Sequence, residues 1–529
     1  MRISSLSLAA HAVAQSFQNE PLVSFDVPEN ARAMRDALQL VRRQLGREYP
    51  LILSGDRVFT TPEIVSHNPA RPSEIVGTHH SAGPEFADRA ISAATKAFET
   101  WQWTSIDERV ELLLRAADVL RRRKFEFSAW LVYEVGKSWV EADAETAEAI
   151  DFLEFYAREA LRLADTKPPI QNAGERDELH YIPLGVGAVL PPWNFPLAIM
   201  AGMTAAAIVC GNTVVLKPSP DAPTIAAVFY SVLDECGLPP GVVNLCQGGA
   251  GFGKALVEHP KTRFIAFTGS KAAGLDIHQR AARTQPGQIW IKRTILEMGG
   301  KDSIIVDRDA DLDEAADGVV ASAFGYNGQK CSACSRVIVD DAVYTAFVEK
   351  LLVRAGDLRH GDPAGNSPVG PVISRAAYDR VLRYIETGKK EGHLALGGAA
   401  LSLPADGYFI APTIFTEVAP EAVISQEEIF GPVLAVIRAP NFDRALEIAN
   451  NTEYGLTGAV YTSSSESMDR ARRRFHVGNL YFNRKCTGAL VGAHPFGGFN
   501  MSGTDSKAGG ADYLYHFSQG KSIAEKLRP

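Results

Sequence analysis

Six cysteines among 529 residues (Cys210, Cys236, Cys246, Cys331, Cys334 and Cys486) are too few and too irregularly spaced for a disulfide framework, so a reducing compartment is expected. Fixed-period repeats and low-complexity tracts are also missing, which excludes solenoids and linker-rich arrays. Positive charge is not in excess. The 54 Lys and Arg stand against 62 Asp and Glu, a net charge of −8, so a small molecule is a better expected partner than nucleic acid or an anionic membrane. Long apolar runs are limited to one: Trp193 to Leu216 carry no formal charge over 24 residues, enough to cross a bilayer. Pro196 and Gly211-Asn212-Thr213 divide that run into a buried helix, about Leu197 to Cys210, and a short strand, Thr213 to Lys217. The stretch Leu6 to Ala14 ends in a signal-like Ala12-Val13-Ala14 but is short and interrupted by Ser and His, and reads as an arm. The His79-His80 pair belongs to no H-E-x-x-H or Cys/His ligand pattern. His79-His80, between Gly77 and Gly83, reads as solvated loop, and no metal is expected.

With 46% hydrophobic and 22% charged residues, the composition is that of a globular protein, and the length allows roughly three domains. A helical pattern spans Ser105 to Lys124, opened by the capping-box variant Ser105-Ile106-Asp107-Glu108; its basic end, Arg121 to Lys124, complements the helix dipole. Short β-rich runs follow at Val186–Leu190, Thr213–Leu216, Val242–Leu245, Phe264–Phe267, Ser303–Val306 and Val337–Val339. Strands separated by helix-length segments predict βαβ units and two mostly parallel sheets, an α/β fold.

Several short segments carry groups suited to chemistry. Phe267-Thr268-Gly269-Ser270 through Gly274 is a strand-turn-helix junction whose N–H groups and hydroxyl can face a pyrophosphate, or simply make a turn; Gly248-Gly249 to Gly253 is a second glycine cluster. Gly328-Gln329-Lys330-Cys331-Ser332-Ala333-Cys334 places a thiol beside a lysine, where its pKa is expected to fall and its thiolate to attack a carbonyl. Structural thiols, a redox C-x-x-C and half a zinc site are the competing readings, the last lacking a second ligand pair. Glu297, among Ile295, Leu296 and Met298, is a candidate general base with a raised pKa, or a carboxylate capping a turn. Asn194, within Pro192-Trp193-Asn194-Phe195-Pro196, offers a neutral amide to an oxyanion, or makes an Asx-turn.

In order and spacing these segments, with Gly211 to Pro218, Glu427-Glu428-Ile429-Phe430-Gly431-Pro432 and Pro495-Phe496-Gly497-Gly498, resemble the aldehyde dehydrogenase superfamily from about residue 50 to the C-terminus. The resemblance implies a Rossmann-type cofactor domain (1–166 and 187–296), an α/β catalytic domain (297–499) and a β-flap for oligomerisation (167–186 and 500–529). It implies Cys331 as nucleophile, Glu297 as the base activating the deacylating water, and Asn194 with the Cys331 N–H as oxyanion hole; Cys334 has no implied duty. Around the implied cofactor, NAD, it places Trp193, Lys217, Gly269, Ser270, Glu428 and Phe430. Lys217-Pro218-Ser219-Pro220 departs from the Lys-Pro-x-Glu of many members; a carboxylate there would repel a 2′-phosphate, so NADP is expected to be tolerated.

Within the superfamily, Tyr133 to Lys137, Ala147 to Asp151, Gly328 to Ser332 and Asn483 to Gly492 are most similar to the 1-pyrroline-5-carboxylate dehydrogenases. That likeness implies an amino acid aldehyde, glutamate γ-semialdehyde, oxidised to glutamate in proline breakdown. It implies Ser332 with the N–H groups of Gly488 and Ala489 as the α-carboxylate anchor, and Glu148, Phe195, Lys330 and Phe496 as the rest of the pocket. By residue type alone both phenylalanines read as core and Glu148 as a solvated helix position. A homodimer or larger homo-oligomer is implied, located in the cytoplasm, or in the mitochondrial matrix of a eukaryote. No second catalytic domain is expected before residue 50. The rival readings are an enzyme for another short aldehyde, a thiol-disulfide oxidoreductase using Cys331 and Cys334, and a non-catalytic protein of the same fold.

Overall fold

A computed structural model describes residues 16–61, 63–168, 170–403 and 406–528; the stretch Leu6 to Ala14 lies outside them. Two seven-stranded sheets organise the chain. From one edge to the other, the first contains Arg293–Glu297, Phe264–Thr268, Val186–Leu190, Thr213–Leu216, Val243–Leu245, Leu51–Leu53 and Asp56–Val58. Its first five strands pair in parallel, and the last two form an antiparallel edge. Val186–Leu190 and Thr213–Leu216 are buried throughout, as strands covered by helices on both faces must be.

The second sheet runs His393–Leu396, Thr413–Thr416, Val433–Ala439, Cys334–Asp340, Asp302–Val306, Thr457–Tyr461 and Asn479–Phe482, parallel except at the His393–Leu396 edge. The two mostly parallel sheets expected from the alternation of patterns are therefore present, with strand limits within a few residues of those read from the sequence. A two-stranded ribbon pairs Glu175–Pro183 with Ser518–Lys526 in antiparallel register.

The helix of Ile106–Arg122 begins at the expected capping box: Ser105 Oγ accepts from the Glu108 N–H, and the Glu108 carboxylate accepts from the Ser105 N–H. The basic run does more than complement its end. Arg121 reaches Glu20, Asp118 and Glu154, while the buried Lys124 opens the next helix and lies 3.2 Å from Asp143. The uncharged run folds as divided: Ala198–Val209 is a buried helix, and no helix among the described residues is long and apolar enough to cross a membrane.

One expectation fails here. His79-His80 is not a solvated loop but the buried end of the strand Arg71–His80, in a three-stranded sheet with Arg47–Tyr49 and Glu63–Asn68. His79 stacks on Tyr49 and contacts Thr224 Oγ1 at 2.9 Å. Burial holds its pKa down near 3, so the ring is neutral and packs as an aromatic. The flanking glycines suggested loop, but Gly77 sits within the strand because a Cβ there would meet Thr224 Oγ1 at 2.8 Å.

Candidate active site

Glu297 ends a strand of the first sheet, and Cys331 precedes the Cys334–Asp340 strand of the second. The turn leading to Cys331 is strained: Tyr326 and Asn327 have φ of 49° and 57°, costing about 1–3 kcal/mol each for non-glycine residues. Hydrogen bonds from all sides hold it. Tyr326 donates its hydroxyl to the Val135 carbonyl at 2.8 Å, and Asn327 its amide to Gly370 at 3.1 Å. Gln329 donates to Pro371 and accepts from the Ile373 N–H. A Cβ at Gly300 would collide with the Cys331 carbonyl, so the Met298-Gly299-Gly300 turn packs backbone against the nucleophile's loop.

The expected lowering of the Cys331 pKa does not occur. Burial pushes the thiol up, and Asp302, Glu428 and Glu297 push it further, against the Ser332 N–H aimed at the sulfur. Lys330 does not act on the sulfur, because its ammonium is bound to Glu141 Oε1 at 2.7 Å. In the free protein Cys331 is a thiol at neutral pH. The thiol next to Cys334 is the buried Cys486, and all six cysteines are free.

Glu297 has the environment of a base poised near neutrality. Burial raises its pKa to about 7, against hydrogen bonds from Ser506 Oγ at 2.5 Å and the Gly498 N–H at 3.3 Å. The glycines at 497 and 503 admit it, since a Cβ at either would approach its carboxylate to about 3.0 Å. Asn194 is buried, with one amide hydrogen given to the Gln329 carbonyl at 3.1 Å and the other available to an oxyanion.

The residues expected around the cofactor divide into two groups. Lys217 donates to the carbonyls of Pro218 and Gly248 at 3.0 Å each, tying the Pro218 turn to the glycine cluster at Gly248; burial lowers its pKa to about 8. Ser270 caps the helix Lys271–Ala282 by accepting from the Ala273 N–H, which leaves its hydroxyl proton to offer. Gly269 departs from its expected role: its N–H already donates to the Glu297 carbonyl at 3.0 Å, so it is not a spare pyrophosphate donor. Its lack of a side chain matters instead, because a Cβ would meet the Phe267 ring at 2.5 Å. On the opposite wall, Glu428 accepts from the Gly300 N–H at 3.0 Å. Phe430, at φ 57°, meets Trp193 edge-on with ring centroids 5.5 Å apart.

Toward the expected substrate end, Gly488, in a left-handed turn at φ 76°, and Ala489 leave both N–H groups unbonded to any described residue. Ser332 is buried beside the nucleophile, and its carbonyl accepts from the Cys486 thiol. Phe195 and Phe496 are half-buried. Glu148, on the helix Trp139–Ala164, is half-buried rather than solvated, and burial with Glu145 nearby raises its carboxyl to about 8. Sequence reasoning assigned no role to Ser506, Glu141, Glu145 or Lys137. Only Lys137 lay in a segment singled out beforehand.

Known proteins resemble this chain over nearly its whole length. The aldehyde dehydrogenase family pattern matches residues 59–523. The 1-pyrroline-5-carboxylate dehydrogenase of Geobacillus thermodenitrificans is 55% identical over 515 residues, covering 97% of this chain and 100% of that protein. The structure of 1-pyrroline-5-carboxylate dehydrogenase from Thermus with bound NAD superposes with a TM-score of 0.95 at 53% identity, over 97% of this chain and 99% of that one. A mutant of the Thermus thermophilus enzyme gives the same score at 54% identity, with the same coverage of both chains. Likeness of this extent, in sequence and in fold, makes the assignment: the chain belongs to the aldehyde dehydrogenase family.

Proposed function

We propose that the protein oxidises L-glutamate γ-semialdehyde, the open form of 1-pyrroline-5-carboxylate, to L-glutamate with reduction of NAD, as a step of proline degradation. The observation that carries this reading is the placing of two unused N–H donors, at Gly488 and Ala489, in the chain that also holds Cys331, Glu297 and Asn194. Those donors suit the α-carboxylate of an amino acid aldehyde, and the Glu148 carboxyl, neutral until a cation arrives, suits its α-ammonium.

Cys331 releases its proton to solvent water, the thiolate adds to the aldehyde carbon, and the Asn194 amide and Cys331 N–H hold the oxyanion. A bound NAD would supply the hydride acceptor, and loss of hydride from the former aldehyde carbon would leave Cys331 as a thioester. Glu297 takes a proton from water, which adds to the thioester; the carboxylate departs and the thiol is restored. Lys217, Ser270, Glu428 and Phe430 fit the cofactor: an ammonium and a hydroxyl on one wall, a carboxylate and a ring on the other.

In this reading the sheet ending at Glu297 serves the cofactor, the sheet starting at Asp302 serves the chemistry, and the ribbon of Glu175–Pro183 with Ser518–Lys526 joins a second copy in a homodimer or larger assembly. The proposed setting is the reducing cytoplasm. NADP is tolerated, because Pro220 puts no carboxylate where a 2′-phosphate would lie. Steady-state rates with glutamate γ-semialdehyde, propanal and succinic semialdehyde test the substrate; a clear preference for either simple aldehyde overturns it.

A further inference from the structure

Lys137 is fully buried and its ammonium touches no water-facing surface. It lies 3.5 Å from the centre of the Phe195 ring, 4.7 Å from that of Tyr326, and 2.6 Å from Glu145 Oε2, off the line of an aligned hydrogen bond. The other Glu145 oxygen accepts from the N–H groups of Leu197 at 2.8 Å and Ala198 at 3.2 Å, at the start of the helix Ala198–Val209. One ammonium therefore touches three things. Phe195 follows the oxyanion donor Asn194, Tyr326 belongs to the strained turn before Cys331, and Glu145 pins the segment just beyond Phe195.

A buried ion pair gives little net stability over apolar residues of the same size, because the cost of desolvating both charges offsets their attraction. The pair's place is explained better by what it aligns. The rings' negative faces attract the cation without needing a directed bond, so the two turns are drawn to one point from different layers.

We propose that Lys137 is a positioning residue for the reaction: enclosed by Phe195, Tyr326 and Glu145, its ammonium sets the Asn194 turn against the loop that carries Cys331. The proposal rests on the assignment of Asn194 and Cys331 above. It predicts that Lys137 acts through Asn194, which a purely structural role would not do.

The test is a double-mutant cycle of Lys137→Met with Asn194→Ala, with rates taken per active site by burst titration. Two reactions are followed: oxidation of the best aldehyde and hydrolysis of p-nitrophenyl acetate, which needs the nucleophile and oxyanion donor but not the aldehyde pocket. Removing an oxyanion donor costs about 10²–10³-fold in rate, and a displaced donor should cost about 30-fold in both reactions. In the Asn194→Ala background the same substitution should cost less than about 2-fold. Glu145→Gln, which keeps the size and one acceptor, should show the same dependence on Asn194 and serves if Lys137→Met fails to fold. Full additivity with Asn194→Ala, or unchanged rates per active site, overturns the proposal. Failure of the substrate assignment alone would appear differently, as ester hydrolysis that still shows the coupling without oxidation of glutamate γ-semialdehyde.

Discussion

Ser506 donates its hydroxyl to Glu297 Oε1 over 2.5 Å, from a segment 209 positions along the chain. A hydrogen bond to the ionised form lowers a carboxyl pKa, and this one opposes the burial that lifts Glu297 to about 7. Glu297 works as a base only when ionised, so deacylation should be present above about pH 7 and lost as pH falls through that value. Ser506→Ala should move this limb upward. A rise of about one unit cuts the ionised fraction at pH 7 about five-fold. The pH profile of the steady-state rate checks it; an unmoved limb would remove Ser506 from the account.

Glu297→Gln separates the two half-reactions. Thioester formation needs Cys331 and Asn194, so one equivalent of NADH per site should still appear rapidly. Turnover should then fall by about 10²–10⁴-fold, the usual worth of a general base. Stopped-flow absorbance distinguishes this burst from the uniform slowing expected if Glu297 only capped a turn.

The raised Cys331 pKa has a measurable sign. Carboxamidomethylation of the free protein by iodoacetamide should be slow at pH 7 and rise about ten-fold per pH unit well into the alkaline range, because only the thiolate reacts. Rapid labelling that levels off below pH 8 would contradict the burial and carboxylate effects described above.

Cys331→Ser should abolish NADH formation, whereas Cys334→Ser should leave most of it. Cys334 is packed in the core beneath the second sheet, 1% exposed, and its sulfur approaches the Arg336 carbonyl rather than the cleft. A thiol-disulfide mechanism requires the opposite result for Cys334.

For the cofactor, the ratio of kcat/KM with NAD to that with NADP should favour NAD yet remain below about a thousand-fold, roughly 4 kcal/mol of discrimination. A larger ratio would mean that some group other than the missing carboxylate rejects the 2′-phosphate.

The strands were legible because those covered on both faces are short apolar runs, as at Val186–Leu190 and Thr213–Leu216. Capping at Ser105 was legible because it is local. What escaped reading depends on partners distant in sequence. His79 looked like loop until Tyr49 and Thr224 closed over it. Lys330 looked like an activator of Cys331, but Glu141, 189 positions earlier, takes its charge. Gly269 read as a donor to a ligand because nothing local revealed that the Glu297 carbonyl would claim its N–H. Motif positions marked the region of the site, while protonation states and hydrogen-bond ownership emerged only from packing.

Glu297 belongs to one seven-stranded sheet and Cys331 to the approach of the other. Neither layer alone holds a complete reacting set, so catalysis reports an event that secondary structure does not: the meeting of the two layers. In a refolding chain, circular dichroism can recover as each sheet forms, but turnover should return only with the step that docks them. Recovered activity thus counts assembled molecules, and the lag between the two signals measures how long the halves exist apart.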